Sequence, residues 1–163
     1  MGVNARGFRT FTPDFSTQLK DVSAGVTANG IAQVGGADNQ LDFGGVSPGP
    51  AVTQIAYTPG TIIVEISAIE DTTGDEHYVV AWQLSDNVAF ASGVTVLHSA
   101  LVFGDGATVV DADDQDDNYP VGQLLLDVNN SYNGTLFRFG RLVHVLAGTT
   151  PILTYTAFFT RNQ

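Results

Sequence analysis

The chain of 163 residues contains no cysteine and only six Lys and Arg residues. The absence of Cys excludes disulfide bonds and thiolate zinc sites. No Lys or Arg occurs between Asp21 and Phe137, whereas 17 Asp and Glu residues bring the net charge to -11. Because DNA and RNA phosphates repel such an acidic body, the composition argues against nucleic acid as the main partner.

Long apolar runs and abundant charge are also lacking. No run approaches the roughly 20 apolar residues of a membrane span, and the start of the chain lacks the apolar stretch of a signal peptide. We therefore expect no membrane partner. Charged residues make up 14% of the chain, against the roughly 25% typical of soluble domains. A surface made polar by uncharged side chains suits a protein that works within an assembly.

What the sequence does contain is a series of strand patterns separated by turn signals. Apolar residues alternate with polar ones through residues 62–68, and Tyr78, Val80, Trp82 and Leu84 share one face of a second strand. Further strands are predicted at 94–103, 121–128 and 152–160. Another is predicted along the alternating residues Phe137, Phe139, Val143 and Val145.

These strands predict the fold class. Asn133-Gly134 is a strong hairpin signal, and no amphipathic helix of 10 or more residues is found. About eight strands in this arrangement predict an all-β fold, an antiparallel β-sandwich or jelly roll. We assign residues 21–163 to this domain and residues 1–20 to an N-terminal arm.

The arm combines aromatic and basic residues and is the predicted contact with a partner. Basic residues beside an acidic body permit docking on an acidic neighbour. A short edge strand or a frayed terminus is the alternative for this segment. The residues expected to make the contact are Arg6, Phe8, Arg9, Phe11 and Phe15.

The sequence offers little sign of catalysis. The histidines His77, His98 and His144 lie far apart along the chain, so the paired ligands of a cupin-type metal site are missing, and His98 and His144 are expected to be hydrogen-bonded structural residues. No nucleophile elbow, phosphate loop or metalloprotease motif occurs. Glu65, Glu70 and Asp71 are the only candidates for a paired-carboxylate glycosidase. We interpret them as solvated and predict that the protein is not an enzyme and needs no cofactor.

One acidic segment resembles a calcium loop at first sight, because hard cations prefer clustered carboxylates. The EF-hand spacing fails, since Asp116 stands where Gly is needed and Gly122 stands where the bidentate Glu belongs. A solvated loop is therefore favoured over a metal site. The weak calcium candidates are Asp111, Asp113, Asp114, Asp116 and Asp117.

Two segments carry a family resemblance. Residues 82–92 are similar to the signature "leucine-glutamine-threonine-serine-aspartate, then alanine-phenylalanine-serine" of capsid cement proteins from podovirus-type tailed phages, with Leu84 displaced by one step. Residues 137–142 resemble that family's "arginine-tyrosine-x-arginine-leucine" strand, with Phe139 in place of Tyr. Weaker matches lie at 21–24, 41–44 and 157–159. The motif residues are Gln83, Ser85, Asp86, Phe90, Arg138 and Arg141.

The resemblance implies a jelly roll that forms homotrimers and binds the major capsid protein on the outer capsid surface, after assembly in the host cytoplasm. Within the motifs, Ser85 and Asp86 are expected to start a tight turn, and Phe90 to fold back over the core. Arg138 and Arg141 should lie on opposite faces of a strand. Either one points inward or across an interface, toward a carboxylate, or both lie in water near a sheet edge.

A second hypothesis is a receptor- or carbohydrate-binding β-sandwich on the virion. Sugar-binding platforms use exposed aromatic residues, and the sequence places Tyr57, Tyr119 and Tyr132 in or beside predicted loops. Glycan binding lost on replacing these tyrosines would favour this hypothesis over a purely structural one.

Overall fold

Alternating apolar side chains assemble the chain into two packed antiparallel sheets, seen in a computed structural model that describes residues 17–22, 24–44, 55–70, 75–91, 95–104 and 120–161. The described residues contain no helix, and the predicted all-β sandwich is confirmed. The strands are β1 (Gln18–Lys20), β2 (Gly30–Ile31), β3 (Gln33–Val34), β4 (Ala37–Asp38), β5 (Leu41–Asp42), β6 (Gly60–Ile69), β7 (His77–Ser85), β8 (Thr95–Phe103), β9 (Gly122–Val128), β10 (Ser131–Tyr132), β11 (Thr135–Leu136), β12 (Phe139–Ala147) and β13 (Leu153–Arg161).

The first sheet has the strand order β1-β13-β6-β9, and the second has the order β2-β12-β7-β8, with β5 also pairing with β12. All these pairs are antiparallel. Two small hairpins, β3–β4 and β10–β11, complete the structure. The second hairpin turns at Asn133 and Gly134, whose φ angles of 49° and 80° are the left-handed values that a two-residue hairpin loop requires. The predicted Asn-Gly hairpin is confirmed.

The core lies between the two sheets. From the second sheet, Tyr78, Val80, Trp82 and Leu84 are fully buried, as their shared face predicts. Opposite them the first sheet supplies a matching set: Leu19, Ile62, Val64, Ile66, Leu153, Tyr155, Ala157 and Phe159. The Trp82 ring stacks on Phe159 at 6.4 Å between centroids, and its indole N–H donates to the Asn129 carbonyl at 3.2 Å. The central aromatic pair thus ties the two sheets together.

Three sequence predictions need correction. Gln18–Lys20 pairs with β13, and Leu19 is fully buried, so an arm ending at residue 20 takes in too much of the chain. On β12 the core-facing residues include Leu142, His144 and Leu146, whereas Val145 is exposed. Ala68 is also exposed, because a register shift in the pairing of β6 with β13 interrupts the alternation.

Candidate functional site

The outer face of the second sheet carries aliphatic side chains in register across three strands. Val145, Val79 and Val102 form one cross-strand row, and Val143, Ala81 and Ala100 form the next. Val102 and Val145 are 53% and 44% exposed, although both are aliphatic. We call this surface the apolar face and define it by seven residues: Val79, Ala81, Leu97, Ala100, Val102, Val143 and Val145. Ala81 and Val143 are themselves buried, with 2% and 7% exposure, and Leu97 lies in register with Gln83 and Arg141.

The outer face of the first sheet differs in chemistry. One of its rows consists of Thr156, Glu65 and Gln123, and another of Thr160, Thr61 and Asp127. Thr61 Oγ1 donates to Asp127 Oδ1 at 2.9 Å. A single apolar row, Phe158, Ile63 and Leu125, lies between these two rows. The outer face of an antiparallel sheet is commonly polar where it meets water, and the apolar face departs from that pattern at the exposed side chains of Leu97, Val102 and Val145.

The turn after β7 is built by the predicted motif residues. Ser85 is fully buried, and its Oγ accepts a hydrogen bond from the Asn87 amide at 3.0 Å. Asn87 Oδ1 in turn accepts from the Ala89 amide at 2.8 Å. Phe90 closes the turn with a φ of 50°, a left-handed value that is uncommon for a bulky residue. The predicted role of Ser85 in starting a turn is confirmed.

Phe90 and Arg141 pack against each other outside the main core cluster. The Arg141 guanidinium lies 4.2 Å from the centroid of the Phe90 ring, and its Nε donates to Gln83 Oε1 at 3.0 Å. Phe90 is 7% exposed and belongs to the buried hydrophobic residues, although it lies outside the main cluster between the sheets. Its ring packs against the Arg141 guanidinium. Burial lowers the pKa of Arg141, and the nearby Asp38 charge partly opposes that effect.

Arg138 lies just before β12 and forms a two-point ion pair with Asp42 on β5. Its Nε and Nη2 donate to the two carboxylate oxygens of Asp42 at 2.9 and 2.8 Å. The hydrogen bond raises the pKa of Arg138 and lowers that of Asp42. The Arg138 amide also donates to Asp86 Oδ1 at 3.0 Å. Arg138 therefore lies at a solvated sheet edge while Arg141 lies on the outer face, and neither guanidinium points into the core.

Beside Arg141 the surface forms an open groove of about 380 Å³. Turn residues from β7 lie on one side, and the β3–β4 hairpin and the chain that follows it lie on the other. This groove, called the Arg141 groove below, is lined by Ile31, Asp38, Asn39, Gln40, Val88, Ala89 and Arg141. Sequence reasoning identified Arg141 as a motif residue but missed Asp38 and Gln40, because only the fold brings them next to it.

A buried polar cluster lies between the sheets, where Lys20, His144 and Tyr155 meet. Tyr155 Oη and His144 Nδ1 lie 3.1 Å apart, and Lys20 Nζ lies 5.6 Å from the centre of the Tyr155 ring. Burial lowers the pKa of His144, the positive charge of Lys20 lowers it further, and a hydrogen bond with the Ala28 backbone opposes both effects. His144 is thus the hydrogen-bonded core histidine that was predicted.

The remaining candidate site residues from the sequence lie in separate parts of the fold. His98 lies on β8, where its Nδ1 is 3.0 Å from Ser99 Oγ and burial lowers its pKa. Glu65 is exposed on the outer face of the first sheet, and Glu70 follows the end of β6. Tyr57 and Tyr132 are 59% and 40% exposed.

One buried amide side chain, missed by the sequence reasoning, connects the segments that carry these two tyrosines. Asn130 Oδ1 accepts from the Thr58 amide at 2.8 Å, and its Nδ2 donates to the carbonyls of Ala56 and Phe137 at 2.9 and 3.2 Å. Asn130 is fully buried. It therefore fixes the chain before β6 against the β10–β11 hairpin.

Several predicted residues fall outside the described part of the chain. They are the arm residues Arg6, Phe8, Arg9, Phe11 and Phe15, the acidic residues Asp111, Asp113, Asp114, Asp116 and Asp117, and the single positions Asp71 and Tyr119. Within the described residues no group of three or more potential metal-ligating side chains comes together. The same part of the chain contains no helix long and apolar enough to cross a membrane.

Comparison of the chain with protein-family models finds no match. Curated proteins and solved structures likewise give no match.

Proposed function

We propose that the chain is a non-enzymatic structural protein of a phage virion, a cement protein that binds the outer capsid surface as a homotrimer and stabilises contacts between major capsid protein subunits. The observation that carries the proposal is the contrast between the two outer sheet faces. The motif resemblance around residues 82–92 and 137–142 supports it independently.

The apolar face is the surface best suited to contact between copies. Each chain carries a net charge of -11, so copies that approach through acidic surfaces repel one another. The two valine- and alanine-rich rows of the apolar face contain no charged residue. Contact there removes aliphatic area from water without bringing like charges together. A closed three-fold ring is an ordinary symmetric outcome of such a contact.

We also propose that the sandwich is a jelly roll. We count β2 and β5 as one strand position, because both pair with β12. Each sheet then alternates strands from the first and second halves of the chain. The first strand pairs with the last, and the second position pairs with the next to last. This nesting of outer strands around inner ones is the pattern of the eight-stranded double-sheet jelly roll.

The N-terminal arm is the proposed contact with the major capsid protein. Arg6 and Arg9 supply positive charge, and Phe8, Phe11 and Phe15 supply apolar area, in a chain whose body is strongly acidic. A basic segment docks on an acidic neighbour through complementary charge. Three arms from one trimer bind together more strongly than one arm does.

Light scattering on the purified protein tests whether it forms the proposed trimer. We expect a molar mass three times the chain mass of 17.2 kDa. Val102→Glu should lower the mass to that of one chain, because it places a carboxylate on the apolar face. Leu125→Glu is the matched control, since Leu125 lies on the edge strand of the other sheet and is 54% exposed, against 53% for Val102. A wild-type monomer at micromolar concentration, or a trimer that only Leu125→Glu disrupts, would contradict the proposal.

Co-sedimentation with capsids assembled from the major capsid protein of the same genome tests the arm. Arg9→Glu should weaken binding, and Arg161→Glu, which makes the same charge change at the end of β13, should leave it unchanged. Mass spectrometry and electron microscopy of virions should show the chain on the outer capsid. Its absence from purified virions would refute the cement function.

A further inference from the structure

The Arg141 groove combines groups of opposite hydrogen-bonding character. An arginine guanidinium only donates, and an ionised aspartate only accepts. Asp38 Oδ1 accepts from Gln33 Nε2 at 2.9 Å, and its Oδ2 accepts no hydrogen bond from the described residues. Arg141 uses its Nε to bind Gln83. Among the described residues its terminal nitrogens form no ion pair within 4.0 Å. Donors and an acceptor thus face one concave space.

The groove is held in shape before any ligand arrives. Stacking on Phe90 and the hydrogen bond to Gln83 fix the plane of the Arg141 guanidinium. On the opposite wall, Asn39 donates through its side chain to the Gln18 carbonyl and accepts from the Gln40 amide at 3.0 Å. Side chains already ordered lose little conformational entropy on binding.

The charges of the groove select against charged ligands. A carboxylate attracted to Arg141 would also meet Asp38, and an ammonium group attracted to Asp38 would meet Arg141. A hydroxyl group both donates and accepts, so a pair of neighbouring hydroxyls satisfies both side chains. Val88, which is 58% exposed, and Ile31 and Ala89 supply apolar wall for the C–H face of a ring.

We propose that the Arg141 groove binds a neutral saccharide, with Arg141 donating to one hydroxyl and Asp38 accepting from another. The groove volume of about 380 Å³ falls within the roughly 300–1,000 Å³ typical of small-molecule sites. This binding function is additional to the capsid contact and does not require it. The site also differs from the sugar-binding surface of exposed tyrosines suggested by the sequence, because Tyr57 and Tyr132 do not line the groove.

A glycan array of neutral oligosaccharides and their sialylated counterparts, probed with the full chain, is the first experiment. We expect binding to neutral glycans, and titration calorimetry with the best neutral glycan then measures affinity. Arg141→Lys and Asp38→Asn should each weaken that affinity about tenfold or more, because Lys lacks the planar guanidinium that stacks on Phe90 and Asn lacks the ionised acceptor of Asp38. Asp38 is exposed, so its replacement leaves the core intact, and circular dichroism verifies the fold of both variants.

Two further variants separate this site from the other surfaces. Val102→Glu, on the far edge of the second sheet, should retain glycan binding even if it dissociates the trimer. Replacing Tyr57 and Tyr132 with Ala should also leave the affinity unchanged. Failure to bind any neutral glycan, a preference for sialylated glycans, or unchanged affinity in both groove variants would overturn the proposal. None of these results would affect the test of the cement function.

Discussion

Replacing Gly140 with Ala should destabilise the sandwich through a direct clash with Trp82. Gly140 lies on the inner face of β12, and a Cβ atom there would lie 2.1 Å from Trp82 Cζ2 and 2.5 Å from Cη2. Ordinary contact between carbon atoms is about 3.5–4.0 Å, so the indole must retreat by more than an ångström. Its retreat is blocked by the stacked ring of Phe159 and the edge of Phe43.

The expected cost follows from these contacts. Overpacking a core typically costs about 1–3 kcal/mol, and displacing the indole also strains its hydrogen bond to Asn129, for which about 1 kcal/mol is typical. We therefore expect Gly140→Ala to lower the free energy of unfolding by about 3 kcal/mol. For a domain of this length, each 1 kcal/mol lowers Tm by about 2–4 °C.

Urea unfolding followed by far-ultraviolet circular dichroism measures the effect in every variant, because Trp82 is the only tryptophan of the chain and one background replaces it. The decisive comparison uses Trp82→Phe, which removes the ring atoms that the new methyl group would meet. In that background Gly140→Ala should cost less than 1 kcal/mol, so the double-mutant cycle should show strong coupling. An equal cost in both backgrounds would refute the clash with Trp82 as the cause.

Three further predictions concern polar groups. Burial lowers the pKa of His144 below its unfolded value of 6.5. The stability that neutral His144 contributes is therefore complete above pH 6.5 and is lost as pH falls below that value. The urea midpoint should drop less between pH 7.5 and 5.5 in His144→Gln than in the wild type. Asn130→Ala leaves the Thr58 amide without its hydrogen-bond acceptor and should lower the free energy of unfolding by about 2 kcal/mol in the same assay. A decrease of less than 1 kcal/mol would be evidence against the hydrogen bonds of Asn130. Arg138→Ala should leave the midpoint almost unchanged, because its ion pair with Asp42 is solvent-exposed; a large shift would show that the pair matters for folding.

Local patterns predicted much of the strand content. Alternation of apolar and polar residues identified β7 and most of β6, because side chains along a single strand point alternately to opposite faces of the sheet. The Asn133-Gly134 signal worked for the same reason, since the turn conformation depends on the two residues themselves. A bulge interrupts the alternation before Ala68, and nothing in the local residue pattern predicts it.

The surfaces depended on pairing between distant segments, and here sequence reasoning was limited. Lys20 and Ala157 pair although they lie 137 positions apart in the chain, and nothing in the short β1 segment specifies that partner. The two sides of β12 contain similar aliphatic residues, so composition alone did not show that Val145 faces outward. The Arg141 groove was missed because its walls come from three separate parts of the chain.

The pairing of β1 with β13 has a practical consequence for fusion proteins. Gln18 lies opposite Phe158, so Thr17 and Arg161 lie at the same end of the first sheet. A cargo domain attached after Arg161 would consequently lie at the end of the sheet where β1 begins. The Asn133–Gly134 turn, where a Cβ added at Gly134 would meet no atom within 4 Å, is the better insertion point for a displayed peptide.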